Sequence, residues 1–300
     1  FRMTLKEFSS SDEIKSLVDI VTKQGTENHF IENFALLNVS RWIFEGRHTT
    51  MRVFAYPSED PLYVFLVDEV DWQLPLIHVR SPIEGHSRDV CASGIRELLK
   101  VLKPSLDKFK AFLTDVDSHV QDIIDQIVVR EDKTYKVTVQ DNSFAFFMNN
   151  DQRKTLLETD LKVQEGFAIS EIDCSTECQI IHGAWPHGAP ITVSKLRLEN
   201  FPSQCVRDSN GELAAWILSH DFGQSCHLYA YEKYRGKGIG VLTELAYSQK
   251  LIRSGLSVFK YVAVDNTKVL HGTLRHRLWT QWKRQGENVV WSFRIYSKIE

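Results

Sequence analysis

The order of short elements in the second half of this 300-residue sequence repeats the order in the first half. Two β-rich runs surround a turn at Pro57–Pro61, and two similar runs surround Asp208–Gly211. In each half a third strand, a helix, a fourth strand and a second helix follow. Corresponding elements are offset by about 150 residues. The pattern predicts two copies of a β-hairpin–β–α–β–α module, joined near residues 140–170.

This order predicts an α/β (α+β) fold in which each module is a mixed, mostly antiparallel sheet flanked by helices. Two domains also suit the length, because a single core stops growing at about 250–300 residues. We place the domains at residues 1–165 and 166–300. Asn210-Gly211 between two β-rich runs is a strong hairpin signal, and it predicts a type I′ turn with positive φ at both residues.

Composition excludes several classes of protein. The net charge is −3, with 36 basic and 39 acidic side chains and no basic run, so we expect no nucleic-acid partner. No stretch approaches the roughly 20 apolar residues of a membrane helix. The five cysteines show no zinc spacing, which predicts buried thiols and no metal site. No signal-peptide pattern is present, so we expect an intracellular location, cytoplasmic or mitochondrial. The oligomeric state stays open, a monomer being one option.

The segment Arg235-Gly236-Lys237-Gly238-Ile239-Gly240 links a predicted strand to a predicted helix. A helix N-terminus has unpaired N–H groups and a partial positive charge, and glycines let that backbone approach phosphate oxygens. Arg235 and Lys237 add positive charge. The segment therefore predicts a phosphate cradle, with a solvated strand–helix turn as the plain alternative.

Two better-known glycine loops do not fit this segment. The dinucleotide-binding fingerprint needs three glycines at wider spacing, and the P-loop needs Gly-Lys-Ser/Thr after four intervening residues. Both loops also follow a parallel strand early in a doubly wound sheet, whereas an antiparallel hairpin precedes this one.

The positions of Arg235, Gly238 and Gly240 resemble the acetyl-CoA signature of the GNAT superfamily of N-acyltransferases, and the element order of the second module is similar to that superfamily. The resemblance implies acetyl-CoA or a longer acyl-CoA as a substrate, with its pyrophosphate on the glycine loop. Pantetheine would lie between two splaying strands, 225–231 and 258–264. The cofactor-binding residues that the resemblance implies are Leu228, Tyr229, Ala230, Arg235, Gly236, Lys237, Gly238, Ile239, Gly240 and Asn266.

A further resemblance, to the glycine N-acyltransferase family, covers roughly residues 130–285. Its landmarks occur in order: Glu165–Ser170, Trp185, Phe201–Cys205, Asp221–Gly223, Tyr234-Arg235 and Trp279–Trp282. It implies acyl transfer from CoA to the amine of glycine or another small amine. The alternative is a non-catalytic acyl-CoA-binding or interaction module.

One position departs from that family. Gln224 stands where the family carries a Glu proposed as general base, and an amide cannot accept a proton. His227 has a suitable intrinsic pKa, and Glu232 and Tyr231 are further candidates for proton transfer. The plain alternatives are a core or edge histidine for His227 and a packing role for Tyr231.

The first module lacks the signature. Ser81–Asp89 stands between its third strand and helix, where Pro82 removes an N–H group and Glu84 would repel phosphate. We therefore expect residues 1–165 to form a degenerate module without a cofactor site.

Overall fold

The computed structural model of the chain describes residues 3–23, 31–48, 50–70, 73–82, 85–185 and 190–300. The chain divides into two compact units. Unit 1 comprises Phe1–Ala145, Val262–Gly272 and Gln281–Glu300. Unit 2 comprises Phe146–Tyr261 and Thr273–Thr280.

Both units contain strands and helices. The strands are β1 Lys6–Phe8, β2 Met51–Tyr56, β3 Tyr63–Asp68, β4 Leu76–Arg80, β5 Ala111–Asp117, β6 Tyr135–Phe147, β7 Phe167–Ser170, β8 Ser203–Asp208, β9 Leu213–Ser219, β10 Ser225–Ala230, β11 Phe259–Ala263, β12 Thr280–Gln281, β13 Lys283–Arg284, β14 Glu287–Asn288 and β15 Val290–Lys298. The helices are α1 Ser11–Lys23, α2 Ile31–Phe44, α3 Arg88–Val101, α4 Lys103–Phe109, α5 Ser118–Asp125, α6 Asn150–Glu158, α7 Cys174–Gly183, α8 Ile191–Asn200, α9 Ile239–Arg253 and α10 Thr267–Arg275. A π-helical turn, Gln126–Glu131, continues α5, and a 3₁₀ turn, Glu232–Tyr234, precedes α9.

The sheet of unit 1 has the strand order β1-β2-β3-β4-β5-β15-β6. Neighbouring strands are antiparallel except for β4 and β5, which are parallel. Helices α3 and α5 pack on this sheet over a core that includes Phe65, Ile95, Phe112 and Ile124. The inward side chains of α3 recur at the three- and four-residue spacing that places them on one helical face.

Strand β15 supplies an interior strand of unit 1 from the far end of the sequence. Its residues pair with β5 from Trp291 to Ser297 and with β6 from Val290 to Lys298. The predicted boundary at 165/166 therefore differs from the compact units, because long-range strand pairing brings residues 281–300 into unit 1. The assignment of the cofactor to residues 166–300 alone stays a prediction.

The sheet of unit 2 has the strand order β11-β10-β9-β8-β7. The first pair is parallel and the others are antiparallel, as in the β5-β4-β3-β2 part of unit 1. Helix α9 covers one face through Ile239 and Leu242, which pack on Val206 and Ala215. Helices α7 and α8 cover the side of the sheet that carries Trp216.

The hairpin between β8 and β9 forms at the predicted position but with a different turn. Gly211 has φ +79°, whereas Asn210 is absent from the described residues with positive φ. The Gly211 amide donates to the Asp208 carbonyl at 2.9 Å, and the ladder shifts register between Val206 and Arg207. The type I′ prediction was wrong, because a longer loop with one left-handed glycine and a bulge closes the hairpin.

Several other elements also differ from the prediction. The sequence pattern of residues 170–181 predicts a helix from Ser170, but α7 begins at Cys174, because Ser170 pairs with Cys205 as the last residue of β7. The pattern of residues 267–279 predicts a helix that ends at Trp279, but α10 ends at Arg275. Helices α4, α6 and α8 were not predicted. No helix within the described ranges is long and apolar enough to cross a membrane.

Candidate functional site

Strands β10 and β11 separate almost as soon as they meet. The described chain shows one pair in parallel register between them, Ser225 with Lys260. Beyond that pair, β10 continues to Ala230 along β9 on its other side. The edge of β10 from residue 226 onward therefore has no registered β11 partner in the described chain, which is the splay that the resemblance implies.

A β-bulge lies at the point of separation. The β9–β10 register shifts between Cys226 and Tyr229, and His227 has φ +51°. Positive φ is uncommon for a residue with a side chain, and a bulge re-aims the strand that contains it. The bulge therefore gives His227 a direction that regular alternation along β10 would not give.

The glycine loop joins β10 to α9 through left-handed backbone. Gly236 and Gly238 both have φ +77°, a conformation that suits glycine because it has no Cβ. Residues 235–238 are exposed. No described side chain caps the N-terminus of α9. The first amides of the helix are therefore available to an anion, with the helix dipole favouring negative charge.

There is room beside this backbone. A Cβ added at Gly236 or Gly240 would meet no described atom within 4 Å, and at Gly238 the nearest atom is Nε2 of Gln164 at 3.7 Å. Phosphate oxygens could therefore approach the loop closely. The residues present fit the pyrophosphate of CoA.

Three side chains connect the glycine loop and the residue before it to neighbouring segments. The Tyr234 hydroxyl donates to Asp208 at the β8–β9 turn, and this hydrogen bond lowers the pKa of the Asp208 carboxyl. The Tyr234 ring lies in edge contact with Phe167, 5.5 Å between centroids. Nε2 of Gln164 donates to the Lys237 carbonyl at 2.5 Å. The loop is thus tied to two neighbouring segments before any ligand binds.

Arg235 binds its own strand as well as facing solvent. Its Nε donates to the Ala230 carbonyl at 3.0 Å, and its guanidinium lies 5.7 Å from the Tyr229 ring centre. Lys237 is exposed, with Nζ 5.7 Å from the Tyr234 ring centre. Both cations lie in the loop, so their positive charge reinforces that of the helix N-terminus.

Aromatic rings surround two of the predicted catalytic side chains, His227 in β10 and Tyr231 just after it. Tyr229 stacks on Trp216 at 4.7 Å, and Tyr231 meets the same indole edge-on at 5.4 Å. Burial raises the pKa of the Tyr231 hydroxyl, with the neighbouring Tyr229 hydroxyl acting in the same direction. His227 lies in edge contact with Trp185 at 4.3 Å and beside Trp216 at 6.1 Å.

The structure brings some of the predicted site residues together. His227 and Tyr231 both adjoin Trp216, and both ring nitrogens of His227 are shielded from solvent. Gln224 is buried at the start of β10, where its carbonyl accepts from the His220 amide at 2.8 Å. Glu232 is exposed in the 3₁₀ turn. The catalytic roles of these four residues stay predictions.

Asn266 and Leu228 occupy different settings. Asn266 belongs to unit 1, where its Oδ1 accepts from the Val269 amide at 3.3 Å near the start of α10. Leu228 lies on β10 and is 41% exposed, which leaves its side chain accessible at the strand edge. The cofactor contacts predicted for both residues stay predictions.

A buried ion pair near this face was not predicted from the sequence. Arg197 on α8 donates to both carboxylate oxygens of Asp221, at 3.0 and 2.6 Å, and both side chains are buried. The Arg197 guanidinium also lies 5.7 Å from the Trp185 ring centre. Bidentate geometry fixes both partners, and removing one typically costs about 3–5 kcal/mol. The pair therefore anchors α8 and Trp185 beside the start of β10.

A second buried pair lies where β10 and β11 meet. Nζ of Lys260 donates to Glu244 of α9 at 2.6 Å and lies 4.2 Å from the Trp279 ring centre. Burial lowers the pKa of Lys260. A lysine inside the apolar run 258–264 was the sequence signal for it. No described group of three or more His, Cys, Asp or Glu side chains could hold a metal ion.

Comparisons with known proteins agree with this geometry. The profile of the FR47-like protein family matches residues 205–271, which include the hairpin, β10, the glycine loop and α9. A glycine N-acyltransferase from Pongo abelii is 26% identical over 128 residues, which are 40% of this chain and 43% of that protein. The chain thus spans less than half the length of this relative.

Two solved structures share the fold. The X-ray structure of a Drosophila protein superposes with a TM-score of 0.76 at 15% identity, covering 98% of each chain. A tandem GNAT protein from the clavulanic acid biosynthesis pathway gives a TM-score of 0.53 at 12% identity, covering 97% of this chain and 98% of its own. Residues 205–271 thus match the FR47-like family, and the chain shares its fold with a tandem GNAT protein.

Proposed function

We propose that this chain transfers an acyl group from acyl-CoA to the amine of glycine or another small amine, with CoA bound to the glycine loop. The observation that carries the proposal is the start of α9. No described side chain caps it, and two left-handed glycines precede it at the end of a strand that has left its neighbour. This arrangement matches what a pyrophosphate followed by an extended arm requires.

The edge of β10 supports the binding of that arm. Backbone groups at Leu228, Tyr229 and Ala230 would bond to pantetheine as they would to an added strand. The bulge at His227 and the separation from Lys260 open this edge. The acyl end would then point toward the start of β10, where Gln224 and His227 lie.

The chemistry needs few groups. Acyl-CoA supplies a thioester carbonyl that is already activated toward an amine. The protein must accept a proton from the amine, donate hydrogen bonds to the carbonyl oxygen and return a proton to the thiolate. Gln224 can donate through its amide but cannot act as a base. A tyrosine hydroxyl carries its proton at neutral pH, and burial raises the pKa of Tyr231 further, so it can serve as a donor.

His227 is the side chain best suited to accept the proton. Its intrinsic pKa lies near neutrality, and the bulge sets its ring apart from the regular side-chain alternation of β10. Edge contacts with Trp185 and Trp216 fix that ring. Glu232 is the next candidate, but it is exposed at the far end of β10.

A second function has a specific observation behind it. Gln224 replaces the carboxylate that the glycine N-acyltransferase resemblance expects, and it is buried, so a non-catalytic acyl-CoA-binding module would retain the loop while lacking the base. Because the matched relative is covered over only 43% of its length, its activity is a guide rather than an assignment for this chain.

The deciding experiment mixes the full chain with acetyl-CoA or a longer acyl-CoA and measures free CoA thiol. Glycine is the first acceptor, and trimethylglycine is the matched control because it has no N–H to lose. We expect thiol release and an N-acylated product with glycine alone. Binding of acyl-CoA at one site per chain, without thiol release for any amine tested, would instead support the binding module.

A further inference from the structure

A polar cavity of about 330 Å³ lies in unit 1. Gln121, Asp122 and Asp125 of α5 line one side, and Ser292 and Arg294 of β15 line the other. Asp125 shares a helical face with Asp122 and Gln121, which are three and four positions before it, and the strand residues share a face because they are two apart. The volume falls at the lower end of the range for small-molecule sites.

The carboxylate of Asp125 is already satisfied. Its Oδ1 accepts from the Tyr296 hydroxyl at 2.5 Å, and its Oδ2 accepts from Nη1 of Arg294. Gln121 is also engaged, donating through Nε2 to the Tyr296 oxygen and accepting through Oε1 from Thr114. These bonds fix the interior wall of the cavity without leaving a free carboxylate oxygen on Asp125.

The carboxylate of Asp122 is satisfied in the same way at the rim. Its Oδ1 accepts from Nη2 of Arg130 at 3.2 Å, and its Oδ2 lies 2.8 Å from Nη2 of Arg88. Arg130 belongs to the π-helical turn that continues α5, and such turns are frequent at functional sites. The acidic groups of the cavity are therefore matched by cations of the same chain.

Two residues that line the cavity each have a polar atom without a hydrogen-bond partner among the described residues. Oγ of Ser292 and Nε of Arg294 are shielded from solvent and have no hydrogen-bond partner among the described residues. Ser292 is only 1% exposed. Buried polar groups in native proteins are normally paired, so an unpaired hydroxyl and an unpaired guanidinium N–H on one cavity wall indicate a ligand or water.

We propose that this cavity binds a small organic carboxylate that carries no ammonium group, such as an N-acylated amino acid or a simple organic acid. The unmatched guanidinium N–H and the hydroxyl are both donors, and a carboxylate offers the acceptors that they lack. An ammonium group would find Asp122 and Asp125 already bonded to arginines. Because the cavity lies in unit 1, this proposal is independent of acyl transfer on the glycine loop.

Calorimetry on the full chain tests the proposal with three probes. N-acetylglycine carries the carboxylate, N-acetylglycinamide lacks its charge, and glycine adds an ammonium group. We expect N-acetylglycine to bind about tenfold or more tightly than either of the others, since one charge-assisted hydrogen bond accounts for such a ratio. Gly238→Val should leave this binding unchanged.

Two variants place the site. Arg294→Lys can keep the ion pair with Asp125 but removes Nε, and Ser292→Ala removes the hydroxyl with little change of volume. We expect about a tenfold loss of affinity for the first variant and a several-fold loss for the second. Ser297→Ala, on the same strand but not lining the cavity, should bind as the original chain does.

Three results would overturn the proposal. N-acetylglycinamide could bind as tightly as the acid, or the affinity for the acid could be unchanged in both cavity variants, which would put the carboxylate elsewhere. Absence of binding by all three probes at millimolar concentration would mean that the cavity holds water only. Ser292→Ala keeps the test decisive even if Arg294→Lys fails to fold.

Discussion

Two strand–loop–helix segments of this chain share a topology, β4–α3 in unit 1 and β10–α9 in unit 2, and we call them crossings. A crossing is closed when its strand stays paired with the next parallel strand and a side chain caps its helix, and open when neither holds. In unit 1, β4 and β5 form three residue pairs, and Oγ of Ser81 then donates to Asp117 at 3.1 Å across the strand ends. The Ser87 hydroxyl caps α3 by accepting from the Val90 amide. In unit 2 the described chain shows one residue pair between β10 and β11, and no described side chain caps α9.

Under the proposed function, the crossing in unit 1 serves stability and the crossing in unit 2 serves binding. Arg284 also donates to Asp117, so the place where the strands could part is filled by an ion pair. In unit 2 no described side chain caps the start of α9, and the lack of such a cap typically costs about 1 kcal/mol. Residues 83–84, and with them the expected repulsion by Glu84, lie outside the described residues.

The largest effect should come from closing the open crossing. Gly238→Val places a branched side chain where φ is +77° and where phosphate would approach, so we expect CoA affinity to fall by about 10²–10⁴-fold, as if two charge-assisted hydrogen bonds were lost. Calorimetry with CoA measures the change, and circular dichroism checks the fold. The matched control is Gly85→Val, also at positive φ in the loop before α3, which should leave CoA affinity as it was.

The next effect concerns the proton acceptor at the open crossing. We expect slow turnover with glycine at neutral pH, rising with pH as free amine becomes available. Gln224→Glu should raise the rate near pH 7 by about a hundredfold and flatten that rise, because burial raises a carboxyl pKa toward the range of a useful base. Initial rates from pH 6 to 9 measure both effects.

His227 offers the competing account of the same profile. If it is the base, His227→Ala should cost far more rate than the control His220→Ala, and Gln224→Glu should change little. A chain that is already fast at neutral pH and indifferent to both histidine substitutions would contradict both accounts, leaving Glu232 as the next residue to change.

A smaller effect should follow from loosening the loop without blocking it. Tyr234→Phe removes the hydrogen bond to Asp208, and we expect about a two- to tenfold loss of CoA affinity. That bond lowers the pKa of Asp208, so its contribution to stability is present above the ordinary carboxyl pKa and is lost as pH falls through the lowered value. Melts of both proteins from pH 7 to pH 3 should therefore converge in acid; a constant difference would contradict this.

The smallest effect belongs to the closed crossing. Ser87→Ala removes the side-chain cap of α3, and we expect the free energy of unfolding to fall by about 1 kcal/mol with CoA affinity unchanged. Denaturant titration and calorimetry measure the two quantities. A loss of CoA affinity in this variant would show that the crossings are not independent.

The sequence predicted features whose cause is local. Glycine spacing located the loop at 235–240, and the apolar periodicity of residues 89–102 and 240–254 located α3 and α9 within a few residues. The bulge at His227 was not predicted, because histidine adopts positive φ more often than most residues but does so in few of its positions, and nothing else in the sequence marks this one. The Arg197–Asp221 pair was not predicted for another reason. It joins a short helix to a loop 24 positions away, and only tertiary packing brings the two together.

Strand β15 sets the order in which this chain can complete its folding. It lies between β5 and β6, so the sheet of unit 1 stays split until residues 290–298 have been synthesised, long after residues 111–145 have left the ribosome. Until then, β5 and β6 present unpaired edges of the kind that drive aggregation. A fragment ending at residue 165 would keep those edges permanently. Residues 1–165 therefore repeat the pattern of a module but lack one interior strand of the sheet of unit 1.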